Sequence, residues 1–179
     1  MLYNKTKHLF IFSILTLILL TGCQDRSRFY YDFETEDTLD TLSWKCKTIF
    51  TLSDKHATSG QKSLKLELYP SPYPGVALHK FNPDWSMYNT LIFDIYNQET
   101  MSLRLAIRID DTKDPSYDDR YNHPIVLNPG MNHISIPLNS LVTTGAGRKI
   151  NLTNVQQVIL FLVQPKEKRI IYLDNVRLE

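Results

Sequence analysis

From Phe33 onward, apolar positions recur every second residue rather than at helical spacing. Ser63-Leu64-Lys65-Leu66-Glu67-Leu68, Leu103-Arg104-Leu105-Ala106-Ile107-Arg108-Ile109-Asp110 and His133-Ile134-Ser135-Ile136-Pro137-Leu138 alternate cleanly. Such alternation sends one set of side chains to a buried face and the other to a polar face. Leu91 to Tyr96 and Val158 to Val163 are more continuously apolar, as expected of central strands, and Arg169 to Leu178 reads as the last strand. Ser59-Gly60, Tyr73-Pro74-Gly75, Asn82-Pro83-Asp84, Asn128-Pro129-Gly130 and Gly145-Ala146-Gly147 punctuate these runs as turns. The pattern predicts an all-β, two-sheet antiparallel sandwich, with at most single helical turns at Asn139 to Leu141 and Asn151 to Val155. Its core is expected to hold Leu64, Leu66, Leu68, Phe93, Ile95, Leu105, Ile107, Ile109, Ile134, Ile136, Phe161, Val163 and Leu173.

The N-terminus has a different pattern. Lys5, Lys7 and His8 precede an apolar run from Leu9 to Leu20, interrupted only by Ser13 and Thr16. A membrane-spanning helix needs about 20 apolar residues, so this shorter run reads as a signal peptide. Leu20-Thr21-Gly22-Cys23 resembles the lipobox of bacterial lipoproteins. That resemblance implies cleavage before Cys23, acylation of its thiol with palmitate-type chains, and an extracytoplasmic location for all later residues. Gln24, rather than Asp, after the cysteine favours the outer membrane. The chain thus divides into a signal peptide (1–22), a lipidated tether (23–31) and one sandwich domain (32–179).

Charge changes this picture little. Lys+Arg 20 against Asp+Glu 19 gives a formal charge of +1, which supplies no field to attract nucleic acid. With Cys23 lipidated, Cys46 has no partner for an intrachain disulfide, and within Trp44-Lys45-Cys46-Lys47 it reads as a small buried strand residue. The histidines show no metal-ligand spacing, and no Gly-x-Ser-x-Gly or Cys/His nucleophile pattern occurs.

Four blocks carry a family resemblance: Phe33-Glu34 followed by Trp44; Ala57-Thr58-Ser59-Gly60-Gln61-Lys62-Ser63-Leu64; Asp84-Trp85-Ser86-Met87-Tyr88-Asn89-Thr90-Leu91; and Tyr172-Leu173-Asp174-Asn175-Val176. Their order resembles the jelly-roll carbohydrate-binding modules of the galactose-binding-like group. The stretch Arg108 to Asn122 is similar to extracytoplasmic sandwich domains found beside VanZ-like membrane proteins and in envelope lipoproteins. The resemblance implies a jelly roll and a non-catalytic polysaccharide-binding role. It also implies a structural Ca2+ ion, with Glu34 and Asp174 as carboxylate ligands and carbonyls near Thr58, Gly60 and Ser63 completing the shell.

Two regions offer recognition chemistry. On one strand Arg104, Arg108 and Asp110 share a face; Asp94 and Tyr96 share one on the preceding strand, with His133, Ser135 and Gln164 as further contributors. The loop from Asp110 to His123 adds Asp119, Arg120, Tyr121 and Asn122. Planar guanidinium forks suit paired oxygens of a uronate or vicinal diol, and aromatic rings stack on pyranose faces. The alternative is a solvated face with internal pairs, such as Arg108 with Asp110 or Asp119. Tyr73, in a proline-stiffened loop, is either a stacking platform or a packing residue, and Trp44 and Trp85 read as core or edge anchors. Two other functions remain open: a protein-interaction module in envelope polysaccharide assembly, and, least favoured, a glycoside hydrolase drawing on Asp94, Asp110 and Asp119.

Overall fold

The computed structural model describes residues 29–43 and 46–179, so the signal peptide, Cys23 and Trp44 lie outside the described residues. In chain order the strands are β1 (Tyr30–Tyr31), β2 (Leu42–Ser43), β3 (Thr48–Ser53), β4 (Ser63–Leu68), β5 (Gly75–Leu78), β6 (Thr90–Asn97), β7 (Leu103–Asp110), β8 (Tyr121–Leu127), β9 (Gly130–Pro137), β10 (Gln157–Leu162) and β11 (Arg169–Leu178). Three short 3-10 turns, Glu36–Thr41, Tyr117–Asp119 and Leu138–Ser140, lie between them.

The strands form two antiparallel sheets. One runs β3-β4-β11-β6-β9 with β1 also paired to β11; the other runs β2-β5-β10-β7-β8. This is the jelly-roll sandwich that the alternation predicted. Leu64, Leu66, Leu68, Leu91, Phe93, Ile95, Ile171 and Leu173 point inward from the first sheet. Val76, Leu78, Leu105, Ile107, Ile109, Val158, Leu160 and Leu162 meet them from the second. Each such side chain contributes about 1.5–3 kcal/mol on leaving water. Proline stands on the edge strands β8 and β9, where a missing N–H leaves no ladder bond unmade.

Four expectations are corrected. Phe161 is half-buried and Val163 is 58% exposed, because β10 sends Val158, Leu160 and Leu162 inward and turns Ile159 and Phe161 out. A strand apolar on both faces has no polar set to fix its phase. Ile134 is only half-buried, since β9 closes the sheet edge. Phe29 and Tyr31, placed by the sequence in the tether, belong to the core. The Phe29 ring meets Tyr31, Phe81 and the fully buried Trp85 edge-on, at centroid distances of 5.3, 4.8 and 4.9 Å. Cys46 lies in a bend before β3 rather than on a strand, and is half-buried.

Candidate functional site: a groove across the five-stranded sheet

The outer face of the second sheet carries a groove of about 990 Å³. Strand register explains its composition. Ile159 lies between Ala77 on β5 and Arg108 on β7, and Arg108 in turn faces Asn122 on β8. The next row is Gly75, Phe161, Ala106 and Pro124. Gly75, Ala77 and Ala106 keep the floor low, while Ile159, Phe161 and Val163 make it apolar. Gly75 is needed for close approach rather than for backbone freedom: a Cβ there would sit 2.1 Å from the Leu160 carbonyl oxygen and 2.6 Å from the Phe161 Cβ.

Charged groups stand along one side of this floor. The Arg108 Nε and Nη2 donate to the two oxygens of Asp110, at 2.9 and 2.6 Å. The Gln157 amide donates to the same carboxylate at 2.5 Å. The Asp110 side chain is 0% exposed, so it fixes Arg108 and Gln157 from behind the surface and is closed to a ligand. Arg104, on the same strand, is exposed and lines the groove. Arg120 enters from the loop after β7 and donates through Nε and Nη2 to the Pro115 carbonyl. Tyr73 stands on one rim with its ring edge-on to Phe161, at 5.8 Å and 86°. Tyr117, 70% exposed, also lines the groove. His79 shares a short contact with the Ser43 hydroxyl; burial, helped by the Lys80 charge, holds its pKa below the usual range.

The loop bearing Tyr117 and Arg120 is held by a clamp that sequence reading missed. Arg148 contacts both oxygens of Asp111 (2.6 and 2.8 Å) and both of Asp119 (2.5 and 2.9 Å). The Asn151 N–H also donates to Asp111. The Arg148 guanidinium, with this N–H, holds the Asp111 carboxyl below the ordinary carboxylate range despite burial.

The expected site is therefore only partly assembled. Arg104, Arg108, Arg120, Asn122 and Tyr73 meet in the groove. Asp110 supports it from beneath. Tyr121 does not belong to it: the residue opens β8 instead of ending a loop, and strand alternation turns it inward, where it is 8% exposed and burial raises its pKa. Asp119 serves the Arg148 clamp. Asp94 lies on the first sheet, because β6 pairs with β11 and β9 and never with β7. There it accepts from the Thr58 hydroxyl and the Asn175 amide and contacts His133 Nδ1. Burial pushes the Asp94 carboxyl up, but these three hydrogen bonds together outweigh it and hold the pKa below its usual value. Tyr117, Gln157, Ile159, Phe161 and Val163 were not anticipated as site residues. The available signal was the doubly apolar run from Val158 to Val163, since an antiparallel strand with a solvated outer face should alternate.

Glu34 and Asp174 both reach the loop after β3. Glu34 Oε1 accepts from the Gln61 and Lys62 N–H groups, each at 2.8 Å. Asp174 Oδ2 accepts from the Thr58 and Ser59 N–H groups at 2.6 and 2.9 Å, and Oδ1 from Asn175. Burial raises the Asp174 carboxyl despite these donors. Among the described residues no group of three or more His, Cys, Asp or Glu side chains converges as a metal site. Both Asp174 oxygens thus already accept from backbone N–H groups.

No family model matches the chain, and no curated protein matches it. Solved structures do. A family 11 carbohydrate-binding module from Clostridium thermocellum, determined with a β-1,3-1,4-mixed-linked tetrasaccharide, is similar with a TM-score of 0.60. The identity is 15%, over 76% of this chain and 85% of that one. A module of family 28, specific for non-crystalline cellulose, gives a TM-score of 0.54 at 17% identity, over 80% of this chain and 90% of that one. An exo-β-agarase gives 0.66 at 16% identity over 86% of this chain, but only 25% of the agarase is covered. The fold is thus the jelly-roll sandwich seen in carbohydrate-binding modules, and the likeness to the agarase extends over one part of that enzyme.

Proposed function

We propose that this chain is a non-catalytic, polysaccharide-binding lipoprotein of the bacterial envelope. The observation that carries this reading is the groove: a low apolar floor, tyrosines at its rims, and guanidiniums fixed by β-strand geometry. Pyranose rings present apolar faces to such a floor and hydroxyls to its polar side. Its concave shape favours a glycan strand over the flat apolar patch expected of a protein-docking module. Asp94, Asp110 and Asp119, the carboxyls a hydrolase would have drawn on, do not face one cleft: they lie respectively on the other sheet, beneath the groove surface, and in the Arg148 clamp.

The lipobox supports anchoring through Cys23 and export out of the cytoplasm, with the outer membrane favoured by Gln24. A calcium ion near Glu34 would complete the likeness to other jelly-roll modules. Support for it is Glu34, which reaches the loop after β3 and whose Oε2 takes no hydrogen bond among the described residues. In that arrangement Glu34 would bind the ion, which would hold the loop against the sandwich.

The test is retention on a glycan array of the wild type and of Tyr73→Ala. Binding to one or more glycans, weakened in the variant, supports the reading, and no retention on any glycan overturns it. In cells, Cys23→Ser should abolish palmitate labelling and leave an uncleaved precursor; unchanged labelling would remove the anchor. For calcium, a melting temperature raised by the added ion and restored by chelation is the expected result, and no change refutes it.

A further inference from the structure

We infer that the groove selects acidic polysaccharide, a chain bearing carboxylate or sulfate on its sugars; this rests on the polysaccharide reading above. The argument is an inventory of donors and acceptors. A neutral sugar hydroxyl both donates and accepts, so a groove for neutral glycan needs both partners at its surface. Here the strongest acceptor, Asp110, is shut beneath the floor and spent on Arg108 and Gln157. Neutral acceptors remain at Asn122, Gln157 and the tyrosines, but charged donors outnumber charged acceptors. Arg104 pairs with no carboxylate among the described residues, and neither does Arg120, whose side-chain bonds run to one backbone carbonyl. Arg108 keeps its Nη1 edge unpaired after Asp110 has taken Nε and Nη2. Against them the groove sets one exposed carboxylate, Asp114, in no ion pair with any described residue.

The placement of these donors adds to their number. Arg104 and Arg108 project from the same face of β7 four residues apart, about 13 Å along the strand, a span longer than one sugar ring. Asp110 holds Arg108 rigid on the strand. The Pro115 carbonyl holds Arg120 on a loop that the Arg148 clamp fixes in turn. Guanidinium forks matched to planar or tetrahedral oxyanions, repeated along a groove with an apolar floor, suit a polymer that carries its charge at intervals.

The experiment compares matched polymers over the full-length chain in detergent: polygalacturonate against its fully methyl-esterified form, and dextran sulfate against dextran. Mixed-linkage β-glucan, xylan and agarose serve as neutral references. The expected result is about tenfold tighter retention of the charged member of at least one pair. Arg104→Gln and Arg120→Gln should each erase most of that difference, and Arg104→Lys should restore part of it. Lys55→Gln, on the β3–β4 loop of the other sheet, should leave it intact. Equal retention of charged and neutral members overturns the acidic preference while the polysaccharide reading stands. Retention of none of the polymers overturns both. An equal loss from Lys55→Gln also overturns it, because diffuse charge would then account for the binding. Melting curves of each variant separate lost binding from lost folding.

Discussion

Asp110 lies wholly beneath the groove, and Arg108, two residues earlier on the same strand, turns back to bind both of its oxygens. The pair fixes in place a side chain at the groove surface by means of one beneath it. Asp110→Asn keeps the shape and removes the charge. It should cost about 1–2 kcal/mol of stability and weaken glycan retention, although residue 110 is out of a ligand's reach. Urea titration and array binding on the same preparation check this, and unchanged retention would show that Arg108 needs no positioning.

Arg148 is the second such support. Arg148→Met leaves Asp111, 1% exposed, without its main partner. The expected loss is about 2 kcal/mol, reduced from the fully buried case because the guanidinium is itself partly in water. Amide exchange should rise across residues 112–119, while β4, β6 and β11 keep their protection.

The same contact sets an acid limit. The folded Asp111 carboxyl lies below its unfolded value of about 3.9. Its contribution is therefore complete above about pH 4 and is lost as pH falls through the folded pKa. The melting-temperature gap between wild type and Arg148→Met should be constant from neutral pH down to about pH 5 and should narrow below about pH 4.

Gly75→Ala tests the floor. Its Cβ would press on the Leu160 carbonyl and the Phe161 Cβ, both fixed by the β5–β10 ladder. A loss of about 2 kcal/mol is expected. Tyr73→Ala, at a half-exposed position, should change the melting temperature little and weaken retention roughly five- to tenfold.

How far the sequence revealed this design depends on where alternation was clean. β4, β7 and β9 each carry a polar set that fixes their phase, and the sandwich and much of its core follow from them. Arg104 and Arg108 were placed together correctly because a single strand determines their common face. Asp94 was misplaced because alternation gives the face of a strand but not its sheet, and β6 joins β11 and β9 through contacts distant in sequence. Tyr121 was misplaced because acidic and aromatic residues before it masked the start of β8. The Arg148 clamp was invisible for the same reason as Asp94: its partners, Asp111 and Asp119, are brought to it only by the folded loop.

The pairing of β1 with the far half of β11, Tyr30 opposite Arg177 and Tyr31 opposite Val176, also has a mechanical consequence. Tension arriving from the N-terminal side would act first on Phe29, whose ring is wedged among Phe81, Trp85 and Tyr31, and not on a loose end. The load would then pass to β11, which runs through the middle of its sheet. A domain built this way resists being peeled open from its N-terminal end.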